Sequence, residues 1–87
     1  MNAKLYPHDI AFSGDGKFVA IGFANGMIKI YTAETMKETH SYRNHTMPVR
    51  KVEWNRNIDS LQVISVDEGK NLIVFDYILN KVIGHIK

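Results

Sequence analysis

The stretch FSGDGKFVAIGFANGMIKIYT, residues 12–32, decides the fold. It holds two short apolar runs, 18–23 and 27–31, each bounded by turn residues. Ser13-Gly14-Asp15-Gly16 precedes the first run, and Gly16 is free to take a positive φ. Asn25-Gly26 separates the two. An Asn-Gly pair between apolar runs is a strong hairpin signal, because a type I′ turn needs positive φ at both central residues. Side chains alternate along each run, so Ile28 and Ile30 take one face and Lys29 the other. The run 18–23 is apolar on both faces, as suits an inner strand covered from two sides.

Working outward, the same pattern returns. Ile10-Ala11-Phe12-Ser13 resembles Val52-Glu53-Trp54-Asn55, an offset of 42 residues from Ile10 to Val52. Met27–Thr32 resembles Asn71–Asp76, an offset of 44 residues from Tyr31 to Phe75. Repeats near 40 residues are the period of four-stranded propeller blades. In the second unit Asp67-Glu68-Gly69-Lys70 stands in the place of Asn25-Gly26, with a longer loop. Val63 and Ser65 share one face there, and Ile64 and Val66 the other. Pro48 can only open a strand, since it lacks the N–H that a ladder requires. The expectation is eight strands, at 8–13, 17–23, 27–32, 36–42, 48–55, 61–66, 71–76 and 79–84, with no helix. They divide into two units, 1–43 and 44–87.

Composition narrows the function. The apolar share of 45% and charged share of 23% are those of a globular chain rather than a disordered tail. No apolar run approaches the ~18 residues of a membrane-crossing helix, and residues 1–7 lack the apolar core of a secretory leader. The expected compartment is therefore the cytoplasm. There are no cysteines, which excludes disulfides and thiolate metal sites. The net charge is +2, and basic and acidic residues are interspersed. Even Arg50-Lys51 is followed closely by Glu53, so a phosphate-tracking basic stripe is not expected.

The sequence resembles the WD-repeat family over nearly its whole length. Asn44-His45 stands where the family has Gly-His, and Gly84-His85 supplies that pair in full 40 residues later. Phe75-Asp76 and Tyr31-Thr32 stand where the family has Trp-Asp. The segment 12–17 is similar to the family's Phe-Ser-Pro-Asp-Gly-Lys turn, with Gly14 in place of proline. The run 15–22 is loosely similar to the echinoderm microtubule-associated protein-like group. The resemblance implies an all-β fold of two four-stranded antiparallel propeller blades. It also implies a structural hydrogen-bonded set of His45, Ser65 and Asp67 in the second blade, without the family's Trp because Phe75 has no N–H. In the first blade the Ser position is expected at Phe23 and the Asp position at Asn25, so no set forms there.

The resemblance further implies a non-enzymatic scaffold with no cofactor, presenting loops to a protein or peptide partner. Candidate partner-binding residues are Arg43, Met47 and Arg50 around one loop, and Phe23, Asn25, Asp67, Glu68 and Lys70 around two others. Catalysis is not expected. His45, Ser65 and Asp67 lack the order and the Gly-x-Ser-x-Gly context of a nucleophile elbow. Gly14-Asp15-Gly16 lacks the Gly-Lys-Ser/Thr ending of a phosphate loop. His8, His40, His45 and His85 show no His-x-x-x-His spacing, so no metal site is expected. Trp54 and Phe12 are expected to pack between blades. A tubulin or complex-subunit partner and a cytoskeletal role are the leading finer expectations. A nucleic-acid or RNP-associated propeller is the alternative. Because a lone blade cannot bury both faces, the exposed faces are also expected to invite self-association.

Overall fold

The computed structural model describes residues 6–57 and 59–86; residues 1–5, on which part of the leader expectation falls, lie outside it. Eight strands form. They are β1 (Pro7–Phe12), β2 (Phe18–Phe23), β3 (Met27–Thr32), β4 (Glu38–Arg43), β5 (Val49–Trp54), β6 (Gln62–Asp67), β7 (Leu72–Asp76) and β8 (Lys81–Ile86). Each set of four makes one antiparallel meander, in the orders β1-β2-β3-β4 and β5-β6-β7-β8. These are two propeller blades, with no helix among the described residues.

Local chemistry explains the punctuation. Ser13 Oγ donates to Asp15 Oδ1 at 2.7 Å and accepts the Phe18 N–H at 3.0 Å, which ties the β1–β2 turn shut. Strands β4 and β8 begin two residues later than expected. Met36 and Asn80 each take a φ of 55°, so the chain is still turning there. The Asn25-Gly26 turn also departs from expectation. Only Gly26 has a positive φ, of 91°, and its N–H closes onto the Phe23 carbonyl at 3.1 Å. Asn25 instead uses its side chain, whose Oδ1 accepts the Met27 N–H at 3.0 Å.

Register corrects the alignment of the two blades. Gly22 pairs with Ile28, and Val66 pairs with Leu72, so the two β-turns are of equal length. Phe23, not Asn25, is therefore the counterpart of Asp67, and Ile21, not Phe23, is the counterpart of Ser65. Counting inward from Met27–Thr32 misplaces these positions because the offset between blades changes from 42 to 44 residues past the turns.

The core lies between the blades. Strand β5 runs against β1 and β2. Val49, Val52, Trp54, Val63 and Phe75 from the second blade bury against Ala20, Ile28 and Ile30 from the first. Gly22 is what allows the approach. A Cβ built there would lie 2.5 Å from Val49 Cγ1 and 3.0 Å from Val52 Cγ1. Three polar contacts pin the seam. The Val52 N–H donates to Asp9 Oδ2 at 2.9 Å, Trp54 Nε1–H to the Ala11 carbonyl at 2.9 Å, and His8 Nδ1–H to the Val49 carbonyl at 3.1 Å. Trp54 is thus an inter-blade residue, whereas its counterpart Phe12 is 61% exposed. Phe12 points to the opposite side, where no further sheet lies among the described residues.

Aromatic rings close the outer half of the seam. Tyr42 stacks on Phe75 with centroids 4.0 Å apart and planes at 14°, and Phe18 and His40 both lie against Tyr77. The Tyr42 hydroxyl is buried without a hydrogen-bond partner, and burial pushes its pKa up. An unpaired buried hydroxyl costs about 1–3 kcal/mol. Tyr42→Phe keeps the stack and removes that group, so it should raise the thermal midpoint by about 4–8 °C per kcal/mol regained. A calorimetric melt that is unchanged or lowered would contradict this.

Candidate functional site

One end of the blade pair gathers the β2–β3, β4–β5 and β6–β7 loops. The β2–β3 turn reaches the second blade directly. A Cβ at Gly26 would run into the His45 carbonyl, so both its positive φ and its close contact demand glycine. Arg43 Nε donates to the Asn25 carbonyl at 2.9 Å. The Glu68 N–H donates to the Pro48 carbonyl at 3.0 Å, which joins the other two loops. Met47 lies over Gly69, where a Cβ would sit 2.7 Å from its sulfur. The three loops therefore form one braced edge.

Beneath that edge lies a buried polar set. His45, Ser65 and Asp67 are 1%, 0% and 1% exposed. His45 Nδ1 lies 2.9 Å from Asp67 Oδ2, and His45 Nε2 lies 2.7 Å from Ser65 Oγ. A carboxylate only accepts, so Nδ1 carries a proton; in the neutral ring Nε2 then accepts the Ser65 hydroxyl proton. Asp67 has further donors. The Gly69 N–H and Asn71 N–H reach Oδ1 at 2.8 and 3.0 Å, and Asn71 Nδ2 lies 3.2 and 3.1 Å from the two oxygens. Burial raises the Asp67 pKa, but the hydrogen bonds from His45, Asn71 and Gly69 outweigh it, and the carboxyl is held below its usual range. Asn71 was missed in the sequence, although Asp67-x-Gly69-x-Asn71 is a pattern in which an Asx side chain caps its own turn.

The geometry resembles a nucleophile relay only in composition. Ser65 Oγ is sealed inside the blade, so no substrate atom can reach it. Phe75 lies opposite Val63 and stacks on Tyr42; it supplies no donor to Ser65. Among the described residues no three His, Asp or Glu side chains cluster as a metal ligand set. None of the helices of a membrane-crossing protein is found either: no described helix is long and apolar enough to span a bilayer.

The candidate loop residues divide by burial. Arg43, Met47, Arg50, Glu68 and Lys70 are exposed, and Asn25 is half-buried. Arg50 and Lys70 meet Lys51 at a cleft of about 420 Å³ that Val66 and Asp67 complete. Phe23 must be withdrawn from the contact surface, because at 6% exposed its ring is committed to the blade. Asp67 is likewise interior and acts on the edge only through the loop that it holds. Asp9, which latches the two blades, was not singled out, since its counterpart in the repeat is Lys51 and nothing local marks an acid there.

Comparison with known proteins extends this picture. The family model described as the anaphase-promoting complex subunit 4 WD40 domain matches residues 3–57. The WD repeat-containing protein slp1 of Schizosaccharomyces pombe is 30% identical over 55 residues, which is 63% of this chain and 11% of that protein. The chain thus spans about a tenth of the length of that curated relative. Among solved structures, the Myceliophteria thermophila Cps50 (Swd1) beta-propeller domain superposes with a TM-score of 0.87 at 22% identity, over 99% of this chain and 26% of that one. The RRP9 WD40 repeats superpose with a TM-score of 0.83 at 22% identity, over 90% of this chain and 23% of that one. At these identities the superpositions establish a common fold.

Proposed function

The chain belongs to the family described as the anaphase-promoting complex subunit 4 WD40 domain, a WD-repeat β-propeller family, and on that premise we propose that it is a non-catalytic scaffold whose braced loop edge receives a protein or peptide. The observation that carries this is the edge itself. Arg43, Met47, Glu68 and Lys70 are exposed, yet their loops are tied together by the Arg43–Asn25 and Glu68–Pro48 hydrogen bonds. Loops held in one geometry lose little entropy on binding, which is what a recognition surface needs. Met47, 41% exposed, offers a deformable apolar contact ringed by charge. The sealed Ser65 supports the absence of catalysis. A cytoplasmic location and a cytoskeletal partner such as tubulin are the finer form of this reading, supported by the run 15–22 alone.

The test is quantitative capture of partners from cell extract by the full chain and its variants. Arg43→Glu with Met47→Asp should reduce capture at least tenfold with an unchanged thermal midpoint. Lys17→Glu, on the opposite edge, should leave it intact. Capture that survives the first pair, or that fails with Lys17→Glu, would refute the loop-edge reading. The RNP-associated alternative is favoured by the three cations at the Arg50 cleft. It would show itself as capture abolished by nuclease and falling steeply with salt.

A further inference from the structure

We propose that the outward face of the second blade is a socket for an acidic β-strand of different sequence, and that it rejects a second copy of this chain. This face is distinct from the loop edge, so the two readings stand or fall separately.

The inner seam shows what one blade offers the next. The first blade presents the Asp9 carboxylate to the Val52 N–H, the Ala11 carbonyl to Trp54 Nε1–H, and the bare Cα of Gly22 to Val49 and Val52. Register gives the same positions on the second blade. Asp9 pairs with Gly22 as Lys51 pairs with Val66; Ala11 pairs with Ala20 as Glu53 pairs with Ile64. The outward face therefore carries an ammonium where the inner seam has a carboxylate. It also carries two branched side chains where the inner seam has Gly22 and Ala20.

A second copy docked head to tail would enter with its β1, the counterpart of β5. Its Ile10, in the place of Val52, would turn its N–H toward a Lys51 ammonium that can only donate. Its Pro7 and Ile10, in the places of Val49 and Val52, would run into Val66. Its Phe12, in the place of Trp54, has no N–H for the Glu53 carbonyl. All three features that hold the inner seam fail together.

The chemistry that does fit is legible on the same face. Arg50, Lys51 and Lys70 surround the cleft of about 420 Å³, and none of them is ion-paired among the described residues. The nearby Asp67 carboxylate does not neutralise them, because His45, Gly69 and Asn71 already occupy it. Below the cleft Ile64, Val66, Leu72 and Val74 form a half-buried apolar floor, and β5 is an open sheet edge. The complementary strand carries carboxylates at the cleft and small apolar residues over Ile64 and Val66, which already fill the space that Ala20 and Gly22 leave open. Backbone pairing and pocketed side chains are the usual means of such strand addition.

Two measurements on the full chain test this. In sedimentation velocity, Lys51→Asp with Val66→Gly remakes the outward face in the image of the inner seam and should self-associate at least tenfold more tightly than the unmodified chain. Equal self-association of the two would overturn the exclusion of a second copy. In fluorescence anisotropy, the probe is a labelled peptide of residues 44–54, the segment that enters the inner seam, carrying Val49→Ala, Arg50→Glu and Lys51→Glu. It should bind the chain at least tenfold more tightly than the unsubstituted peptide and weaken with salt. The exposed single change Lys51→Asp, which carries the test should the double variant not fold, should abolish that preference. Equal binding of the two peptides, or a preference that survives Lys51→Asp, would overturn the acidic socket.

Discussion

Replacing Asp67 with alanine will cost this chain about 3–5 kcal/mol, the usual penalty for stripping a buried charged partner from its hydrogen-bond set. The reason lies in what is left behind. His45 Nδ1–H, the Gly69 N–H and the Asn71 N–H all aim at the Asp67 carboxylate, and none of them has solvent to turn to while the loop stays in place. Domains of this size have only about 5–15 kcal/mol in hand. The expected result by circular dichroism is a thermal midpoint lowered by more than about 12 °C, at 4–8 °C per kcal/mol. Amide exchange should show Gly69 and Asn71 losing protection first. A loss below about 1 kcal/mol would mean that the set is ornamental to the fold.

The same carboxylate sets a pH dependence with a definite sign. The Asp67 pKa is depressed in the folded chain, so its contribution is fully present above the unfolded carboxylate value of about 3.9 and is lost as pH falls through the lower folded value. Asp15 shares that window, because the Ser13 hydroxyl and the Lys17 N–H hold its carboxyl down. Melts should therefore be flat in this respect between pH 5 and 7 and should drop below about pH 4. Asp67→Asn should flatten much of that drop while lowering the plateau. An acid transition of undiminished size in Asp67→Asn would assign it to other groups.

Gly22→Ala carries the second large effect. The added methyl would lie 2.5 Å from Val49 Cγ1 and 3.0 Å from Val49 Cβ. Val49 cannot swing aside easily, being β-branched and fully buried. The blades must separate instead. Overpacking of this kind costs about 1–3 kcal/mol. Separation would also stretch the Val52–Asp9 and Trp54–Ala11 hydrogen bonds, at about 1 kcal/mol each. Gly22→Val should exceed both. The signature is local: Trp54 emission should shift to the red, and the Val52 amide should exchange faster. Stability lost with Trp54 emission and Val52 exchange unchanged would show that Gly22 acts through its own strand rather than through the seam.

Much of this protein is determined by residues acting on near neighbours. Alternation along 18–23 and 27–31, the Ser13-to-Gly16 turn and the offset of 42–44 residues each depend on a few adjacent positions. They are enough to specify eight strands and two meanders. His45, Ser65 and Asp67 could be singled out for a related reason, since each sits at a fixed place relative to a strand end. What the tertiary structure alone decided is how one meander meets the other. It moved the counterpart of Asp67 from Asn25 to Phe23, buried Phe23, and gave Asn71 its place on the carboxylate. It also made Asp9 and Gly22 the latch and the gap of the seam. Those contacts join residues more than twenty-five positions apart, so no local pattern encodes them. They arise because two twisted sheets have few ways to bury their apolar faces together, and the closest approach falls where a side chain is missing.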